Sequence, residues 1–138
     1  MLLKGYQKVA HRGLHAAGKG VPENSLPAFR AAAEAGYAIE LDVHRAADGT
    51  LVVFHDHDLR RMTGARGTVE RMDFRSLRRL RLGGTACTIP LLREVLDTGT
   101  RQQELIGAHF MQAQAAFNHY RLDAFSEAVS LWREEILK

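Results

Sequence analysis

Apolar and polar residues alternate over segment 38–44 in the pattern of a β-strand. Ile39, Leu41 and Val43 fall on one face, and Glu40, Asp42 and His44 fall on the other. An apolar strand face normally packs under a helix, so the opposite face lies in solvent or inside a site. The two carboxylates are two residues apart, roughly 6.6 Å along the strand.

Shorter elements surround this strand in the first two thirds of the chain. Apolar runs predict strands at 7–10 and 51–54. Asn24 or Ser25 is expected to cap a helix that ends before Gly36, a residue suited to the left-handed position after a helix. This alternation of strands and helices predicts an α/β fold.

The last third of the chain has a different pattern. No strand pattern is visible from residue 101 onward, and the alanine-rich stretch 105–120 is typical of a helix. Phe125, Val129 and Trp132 recur at helical spacing, which predicts a second helix with a buried apolar stripe. We therefore expect a helical C-terminal segment.

Composition places the chain among globular proteins. Its 138 residues predict one compact domain, and the 46% of apolar residues exclude a mainly disordered chain. No apolar run is long enough to span a bilayer, so no stable membrane insertion is expected. No secretory leader is visible and Cys87 is the single cysteine, which suits a reducing compartment and predicts a cytoplasmic protein.

Positive charge is concentrated in one segment. The net charge is +3, and residues 60–81 hold eight arginines against two acids, Glu70 and Asp73. Such a run is typical of a solvated helix face, and it is also the pattern of a field that attracts phosphate groups. Because Phe74 is the one aromatic residue there and no nucleic-acid-binding motif accompanies it, nucleic acid is not expected as a partner.

Two acidic and two imidazole side chains carry the candidate chemistry. Glu40 and Asp42 share a strand face, and His11 and His55 each follow directly after a short predicted strand. The carboxyl ends of parallel strands gather on one side of an α/β sheet, so the four side chains are expected to converge there. Enclosed carboxylates repel unless a hard divalent cation such as Mg²⁺ or Ca²⁺ lies between them. For the carboxylates alone, a half-exposed strand with a polar outer face is the alternative.

Several spaced motifs give the chain a family resemblance. They are His11-Arg12-Gly13, Pro22-Glu23-Asn24-Ser25 before a helix, Glu40-Leu41-Asp42-Val43, Val53-Phe54-His55-Asp56, Asp58-Leu59-Arg60-Arg61-Met62-Thr63-Gly64 and Ile89-Pro90-Leu91-Leu92. In this order they resemble the N-terminal part of the glycerophosphodiester phosphodiesterases, over about two thirds of the chain.

The resemblance implies a fold and a set of roles. The family fold is a (β/α)₈ barrel, so the expected fold is α/β: a partial (truncated) TIM-type β/α barrel followed by a helical C-terminal segment. The implied roles are an acid–base pair of His11 and His55, a phosphate contact from Arg12, metal ligation by Glu40 and Asp42, and a place in or around the site for Glu23 and Asn24.

The resemblance also implies a reaction, the metal-dependent hydrolysis of a glycerophosphodiester to glycerol 3-phosphate and an alcohol. A neighbouring substrate hydroxyl would attack phosphorus while one histidine takes its proton, and the other histidine would protonate the leaving alcohol. Water would then open the cyclic phosphate. Ca²⁺ or Mg²⁺ would neutralise charge on the phosphoryl oxygens.

The chain departs from the family pattern after Leu96. A barrel of this kind takes about 250 residues, and no strand with the family's further metal-binding glutamate is visible there. We therefore expect a barrel-like part at 1–98 and a helical tail at 99–138 that packs on or completes the sheet. A shortened or frameshifted gene product, a half barrel covered at its open edge by the tail or a second subunit, and a non-native tail are the three alternatives.

Two other functions stay open beside a hydrolase. A catalytically impaired barrel fragment would act as an assembly or interaction module, with a homo-oligomer covering its open strand edge. Phosphate-backbone binding by the arginine-rich segment is the third alternative.

Overall fold

A five-stranded sheet forms the centre of this structure, a computed structural model that describes residues 9–98, 106–110 and 118–121. The strands are β1 Val9–His11, β2 Ala38–Arg45, β3 Leu51–Val53, β4 Ile106–Phe110 and β5 Asn118–Arg121. The α-helices are α1 Leu26–Glu34, α2 Arg60–Thr63, α3 Phe74–Leu77 and α4 Leu92–Thr98, with short 3-10 turns at Ala17–Lys19, Val69–Arg71 and Leu82–Gly84. None of the described helices has the length and apolar character needed to cross a bilayer.

Strand β2 is the central strand of the sheet. Strands β1 and β4 pair with it in parallel, β3 pairs with it antiparallel, and β5 pairs antiparallel with β4. Ile39 pairs with both β1 and β4, and Val43 pairs with both β3 and β4. Since each strand has two edges, β1 and β3 share one edge of β2 and β4 occupies the other.

The strand before His55 runs antiparallel to β2, and the expectation of a parallel strand there is wrong. Residues 46–50 form a tight turn in which Ala46 N donates to Thr50 O at 2.8 Å and Gly49 has a φ of 86°. A connection this short makes a hairpin, because a parallel crossover needs about a dozen residues or more.

Helix α1 covers the apolar face of β2, as its pattern predicts. Ser25 caps the helix by accepting a backbone N–H of its first turn at 3.3 Å, and Gly36 follows the helix with a φ of 73°. Phe29 and Leu41 are fully buried between α1 and β2, together with Val95 of α4. The layer of helix on sheet therefore follows from the alternation seen in the sequence.

A second apolar core lies between β3 with its preceding turn and the segment that leads from β3 to α4. Its buried members are Ala46, Val52, Phe54, Leu59, Val69, Leu77, Leu82 and Ile89. Backbone hydrogen bonds tie this segment to itself and to the turn after β2: Val69 N donates to His57 O at 3.0 Å, and Ala47 N donates to Met72 O at 2.9 Å. The polar residues that follow β3 are thus held on a packed support.

The helical expectation for the last third of the chain is wrong at two places, because residues 106–110 and 118–121 are strands. Strand β4 pairs along the second edge of β2, where backbone N–H and C=O groups need partners, and this pairing overrides the helical tendency of an alanine-rich stretch. The predicted helix with Phe125, Val129 and Trp132 lies outside the described residues. The boundary at residue 98 stays a prediction.

Candidate active site

The candidate site lies where β1 and β3 approach each other end to end along one edge of β2. Strand β1 ends at His11, opposite Glu40. From the other direction, the backbone N–H of Phe54 donates to the Asp42 carbonyl at 3.0 Å, one residue before His55. The ends of β1 and β3 point toward each other and bring the two histidine-bearing segments to the carboxylates. The sequence had predicted instead that both histidines follow the carboxyl ends of parallel strands.

Glu40 and Asp42 are buried on the polar face of β2, with 8% and 1% of their surface exposed. This burial excludes the half-exposed alternative for the strand. Burial, followed by the charge of Asp42, raises the pKa of Glu40 to about 7, although the Arg12 guanidinium acts against the shift. The two carboxylates therefore share an enclosed site in which a second negative charge is costly.

His11 faces the first of these carboxylates. Its Nε2 lies 3.4 Å from Glu40 Oε2, and 63% of its side chain is exposed, so the ring is open to a ligand. Burial of the remainder, followed by the charge of Arg12, lowers the pKa of His11. The ring is therefore neutral at neutral pH and able to accept a proton.

Arg12 bends into the site because its backbone is left-handed, with a φ of 59°. Its Nη1 donates to Glu23 Oε2 at 3.1 Å, and its Nε lies 3.4 Å from Asp42 Oδ2. A positive φ is strained for a residue with a side chain, and strain of this kind is concentrated at functional sites. The conformation places a guanidinium between two carboxylates.

Asn24 shares this left-handed conformation, with a φ of 54°, and its backbone N–H donates to the Arg12 carbonyl at 2.8 Å. Its Nδ2 donates to Asp42 Oδ2 at 3.1 Å, and only 2% of the residue is exposed. Within the described part of the chain, no donor reaches its buried Oδ1. An amide oxygen is thus available close to the carboxylates.

Arg61 joins the segment after β1 to the segment after β3. Its guanidinium donates to both oxygens of Glu23, at 2.9 Å each, and to both oxygens of Asp56, at 2.8 and 3.0 Å. The hydrogen bonds from Arg61 lower the pKa of Asp56 to about 2, with a further contribution from His55. Burial favours a higher pKa for Glu23, but the hydrogen bond from Arg61 and the charge of Arg12 outweigh it and the net shift is downward.

His55 is held at both its ring and its backbone. Its Nδ1 lies 2.7 Å from Asp56 Oδ1, and its carbonyl oxygen lies 2.8 Å from His44 Nε2. Because Asp56 is ionised, it accepts the Nδ1–H and fixes the tautomer. The other ring nitrogen, Nε2, is then the one available to a ligand.

The oxygen set at this edge of β2 fits a hard divalent cation. Carboxylate and amide oxygens are the ligands that Ca²⁺ and Mg²⁺ prefer, and Glu40, Asp42 and Asn24 bring such oxygens together. Burial and, after it, the negative charge of Asp42 raise the pKa of Glu40, and the neighbouring Arg12 does not fully offset them. A dication between the carboxylates would balance that negative charge.

The sequence model of the glycerophosphoryl diester phosphodiesterase family matches residues 11–138. This chain belongs to that family. The family fold is a β/α barrel, and the described strands and helices form part of one.

Relatives of known name support this membership. The chain is 39% identical over 105 residues to a glycerophosphodiester phosphodiesterase of Bacillus altitudinis, an alignment that covers 70% of this chain and 41% of that protein. A crystal structure of glycerophosphodiester phosphodiesterase from Thermotoga maritima is similar with a TM-score of 0.66 and 31% identity, covering 89% of this chain and 49% of that one.

A third relative is an Oleispira antarctica phosphodiesterase in complex with the product sn-glycerol-3-phosphate. The TM-score is 0.63 and the identity 30%, with 75% of this chain and 43% of that chain covered. This chain spans less than half the length of the curated relatives it matches.

A strand follows Leu96 where no strand pattern was visible, but neither β4 nor β5 carries a glutamate, so the expected lack of a strand with the family's further metal-binding glutamate is not contradicted. Strand β4 lies beside β2, with Gly107 in register with Glu40 and His109 in register with Asp42. Neither position of β4 holds an acidic residue.

Sequence reasoning assigned no role to four residues in or beside this site. Arg61 and Asp56 stand in motifs that carry the family resemblance, and those motifs were the available signal. His44 continues the polar face of β2 and was visible in the same alternation. Glu70 carried no signal beyond being one of two acids in an arginine-rich segment.

Proposed function

We propose that this chain carries the active site of a metal-dependent phosphodiester hydrolase that cleaves glycerophosphodiesters to glycerol 3-phosphate and an alcohol. One observation carries the proposal: a continuous set of contacts runs from His11 to His55. His11 contacts Glu40, whose carbonyl accepts from Arg12 N at 2.8 Å, and the Arg12 guanidinium continues the set through Glu23, Arg61 and Asp56 to the His55 ring. The glycerol phosphate named with the Oleispira antarctica relative supports this substrate class.

Arg12 is the proposed phosphate ligand. Its guanidinium reaches the carboxylate pair while 20% of its side chain stays exposed, so a phosphate can approach it from solvent. Glu23 holds Nη1 at 3.1 Å and restricts the guanidinium to one orientation. A planar donor group fixed in this way suits two oxygens of one phosphate.

The two histidines divide the proton transfers. His11, whose pKa is lowered, accepts the proton of the substrate hydroxyl as that oxygen bonds to phosphorus. His55 enters this step with a proton on each ring nitrogen: the ionised Asp56 keeps the Nδ1 proton, and the Nε2 proton is given to the departing alcohol oxygen. In the second step the roles reverse, since water must lose a proton to open the cyclic phosphate and the ring oxygen must gain one.

Glu40 and Asp42 are the proposed cation ligands, with the amide oxygen of Asn24 nearby. Bound Ca²⁺ or Mg²⁺ supplies positive charge to the phosphoryl oxygens. The residues themselves supply orientation, because strand β2 fixes the carboxylates and Asn24 Nδ2 holds Asp42 Oδ2 at 3.1 Å.

Choline release from glycerophosphocholine tests the proposal. Purified protein is incubated with the substrate and with Ca²⁺ or Mg²⁺, beside His11→Ala, Glu40→Gln and the exposed control His15→Asn. We expect release by the parent chain and by His15→Asn. His11→Ala should lose at least about a hundredfold, the usual contribution of a general acid–base group, and Glu40→Gln should lose activity because it removes a charged cation ligand. Release by the parent no greater than by His11→Ala would remove the assignment for this substrate.

A further inference from the structure

A second cluster of side chains that can bind a metal consists of His44, His57 and Glu70. His44 lies two residues beyond Asp42 on the same face of β2. A ligand atom from each of the three residues lies within 4.8 Å of the others. The Nδ1 atoms of both histidines lie 2.7 Å from Glu70 Oε1. His44 is fully buried, while 64% of the His57 side chain is exposed, so solvent reaches the cluster from one side.

The tautomer of His44 is fixed by its second ring nitrogen. Nε2 lies 2.8 Å from the His55 carbonyl oxygen, which can only accept, so Nε2 carries a hydrogen. Nδ1 is therefore the ring nitrogen that faces the cluster. Metal-binding histidines are held in this way, with the other ring N–H donated to a carbonyl or carboxylate.

The three side chains converge on one place. Nδ1 of His44 and Nδ1 of His57 both lie 2.7 Å from Glu70 Oε1, so two imidazoles approach the same carboxylate oxygen. A metal ion held there would take one ligand atom from each of the three residues.

We propose that His44, His57 and Glu70 bind Zn²⁺ at a site separate from the oxygen site of Glu40 and Asp42. Two imidazole nitrogens and one carboxylate are a three-ligand set found for Zn²⁺, with water at the fourth position. Ligands at about 2.0–2.1 Å in a tetrahedron are separated by roughly 3.3 Å, so the nitrogens must move outward from Glu70 by about half an ångström. The exposed His57 and the Glu70 side chain, which is 22% exposed, have room to move, so the separation can widen while the buried His44 stays in place. Nitrogen ligands favour Zn²⁺ over Ca²⁺ or Mg²⁺, which prefer oxygen.

Zinc binding to chelator-treated protein tests this site without any substrate, so its result is independent of the hydrolysis assay. Excess Mg²⁺ is present to occupy the oxygen site, and Zn²⁺ affinity is measured by titration calorimetry. We expect one equivalent of Zn²⁺ to bind to the parent chain. His57→Asn and Glu70→Gln each weaken the affinity by at least about tenfold, whereas His15→Asn and Glu40→Gln leave it unchanged.

A replacement at position 57 identifies the ligand directly. In His57→Cys a thiolate replaces the imidazole, so zinc binding is retained and the Co²⁺ complex gains a thiolate-to-metal charge-transfer band. The parent chain already contains Cys87 and must lack that band. Failure of the parent to bind one equivalent, binding that survives both His57→Asn and Glu70→Gln, or absence of the new band in His57→Cys overturns the proposal.

Discussion

Arg61 and Glu23 form a two-point ion pair between residues 38 positions apart, with Nη1–Oε1 and Nη2–Oε2 distances of 2.9 Å each. The parallel geometry is the strong form of an arginine–carboxylate contact. Because Arg61 belongs to the segment after His55 and Glu23 to the segment after His11, this pair fixes the two sides of the site relative to each other.

Arg61→Lys is expected to remove hydrogen bonds that stabilise the ionised form of Asp56. A lysine ammonium is a single point charge and cannot hold both oxygens of two carboxylates. The pKa of Asp56 should therefore rise from about 2 toward its ordinary value of 3.8. Titration of the carboxyl carbons by NMR measures the shift, with the neighbouring exposed Arg60→Lys as control. An equal shift in both variants would contradict the role given to Arg61.

Gly13→Ala is expected to destabilise the fold far more than Gly36→Ala. Both glycines have positive φ, 80° and 73°, which costs an alanine about 1–2 kcal/mol. At Gly13, but not at Gly36, the new Cβ would lie 2.8 Å from the Ala28 Cβ on helix α1. This overlap should lower the free energy of unfolding by about a further 1–3 kcal/mol. Urea unfolding of the two variants measures the difference. Equal losses would mean that the close contact relaxes without cost.

Asn24→Asp is expected to tighten Ca²⁺ binding and to destabilise the cation-free protein by about 1 kcal/mol. The substitution keeps the shape of a side chain already bonded to Asp42 and adds a third carboxylate beside Glu40. Like charges at this distance repel until a cation lies between them. Urea unfolding with and without Ca²⁺ measures both effects. The control is Asn24→Ala, which removes the amide without adding a carboxylate. A Ca²⁺ dependence identical to that of the parent would argue against a cation at this place.

Glu94→Gln is expected to remove a small stabilisation that depends on pH. Burial favours a higher pKa for Glu94, but hydrogen bonds from Arg78 and from Leu91 N–H outweigh it, and the pKa lies below 4.5. The folded state thus holds the ionised form more tightly than the unfolded state does. The contribution is therefore complete above pH 4.5 and is lost as the pH falls through the lowered pKa.

The pair of Glu94 with Arg78 is about one third exposed, so we expect its loss to cost about 0.5 kcal/mol at neutral pH. Glutamine still accepts the Leu91 N–H, which isolates the charge. Urea unfolding of parent and variant across this pH range should show two curves that meet at the acidic end. A difference in the free energy of unfolding that is the same at every pH would assign the effect to packing and not to charge.

Local patterns determined the faces and ends of the main elements. The alternation over β2 placed Leu41 against helix α1 and Asp42 in the site, because a strand turns successive side chains to opposite faces. Ser25 and Gly36 marked the ends of α1 correctly, since a helix cap depends on contacts within one turn. The spaced motifs also identified the family.

Tertiary contacts decided how those elements were assembled. The approach of β1 and β3 to one edge of β2, and the pairing of β4 along the other, depend on hydrogen bonds between distant segments that no local pattern encodes. The contacts of Arg61 with Glu23 and of His44 with Glu70 arise in the same way. A sequence specifies which side chains share a strand or helix face, whereas the partner across space is set by which backbone edges and charges must be satisfied once the chain is packed.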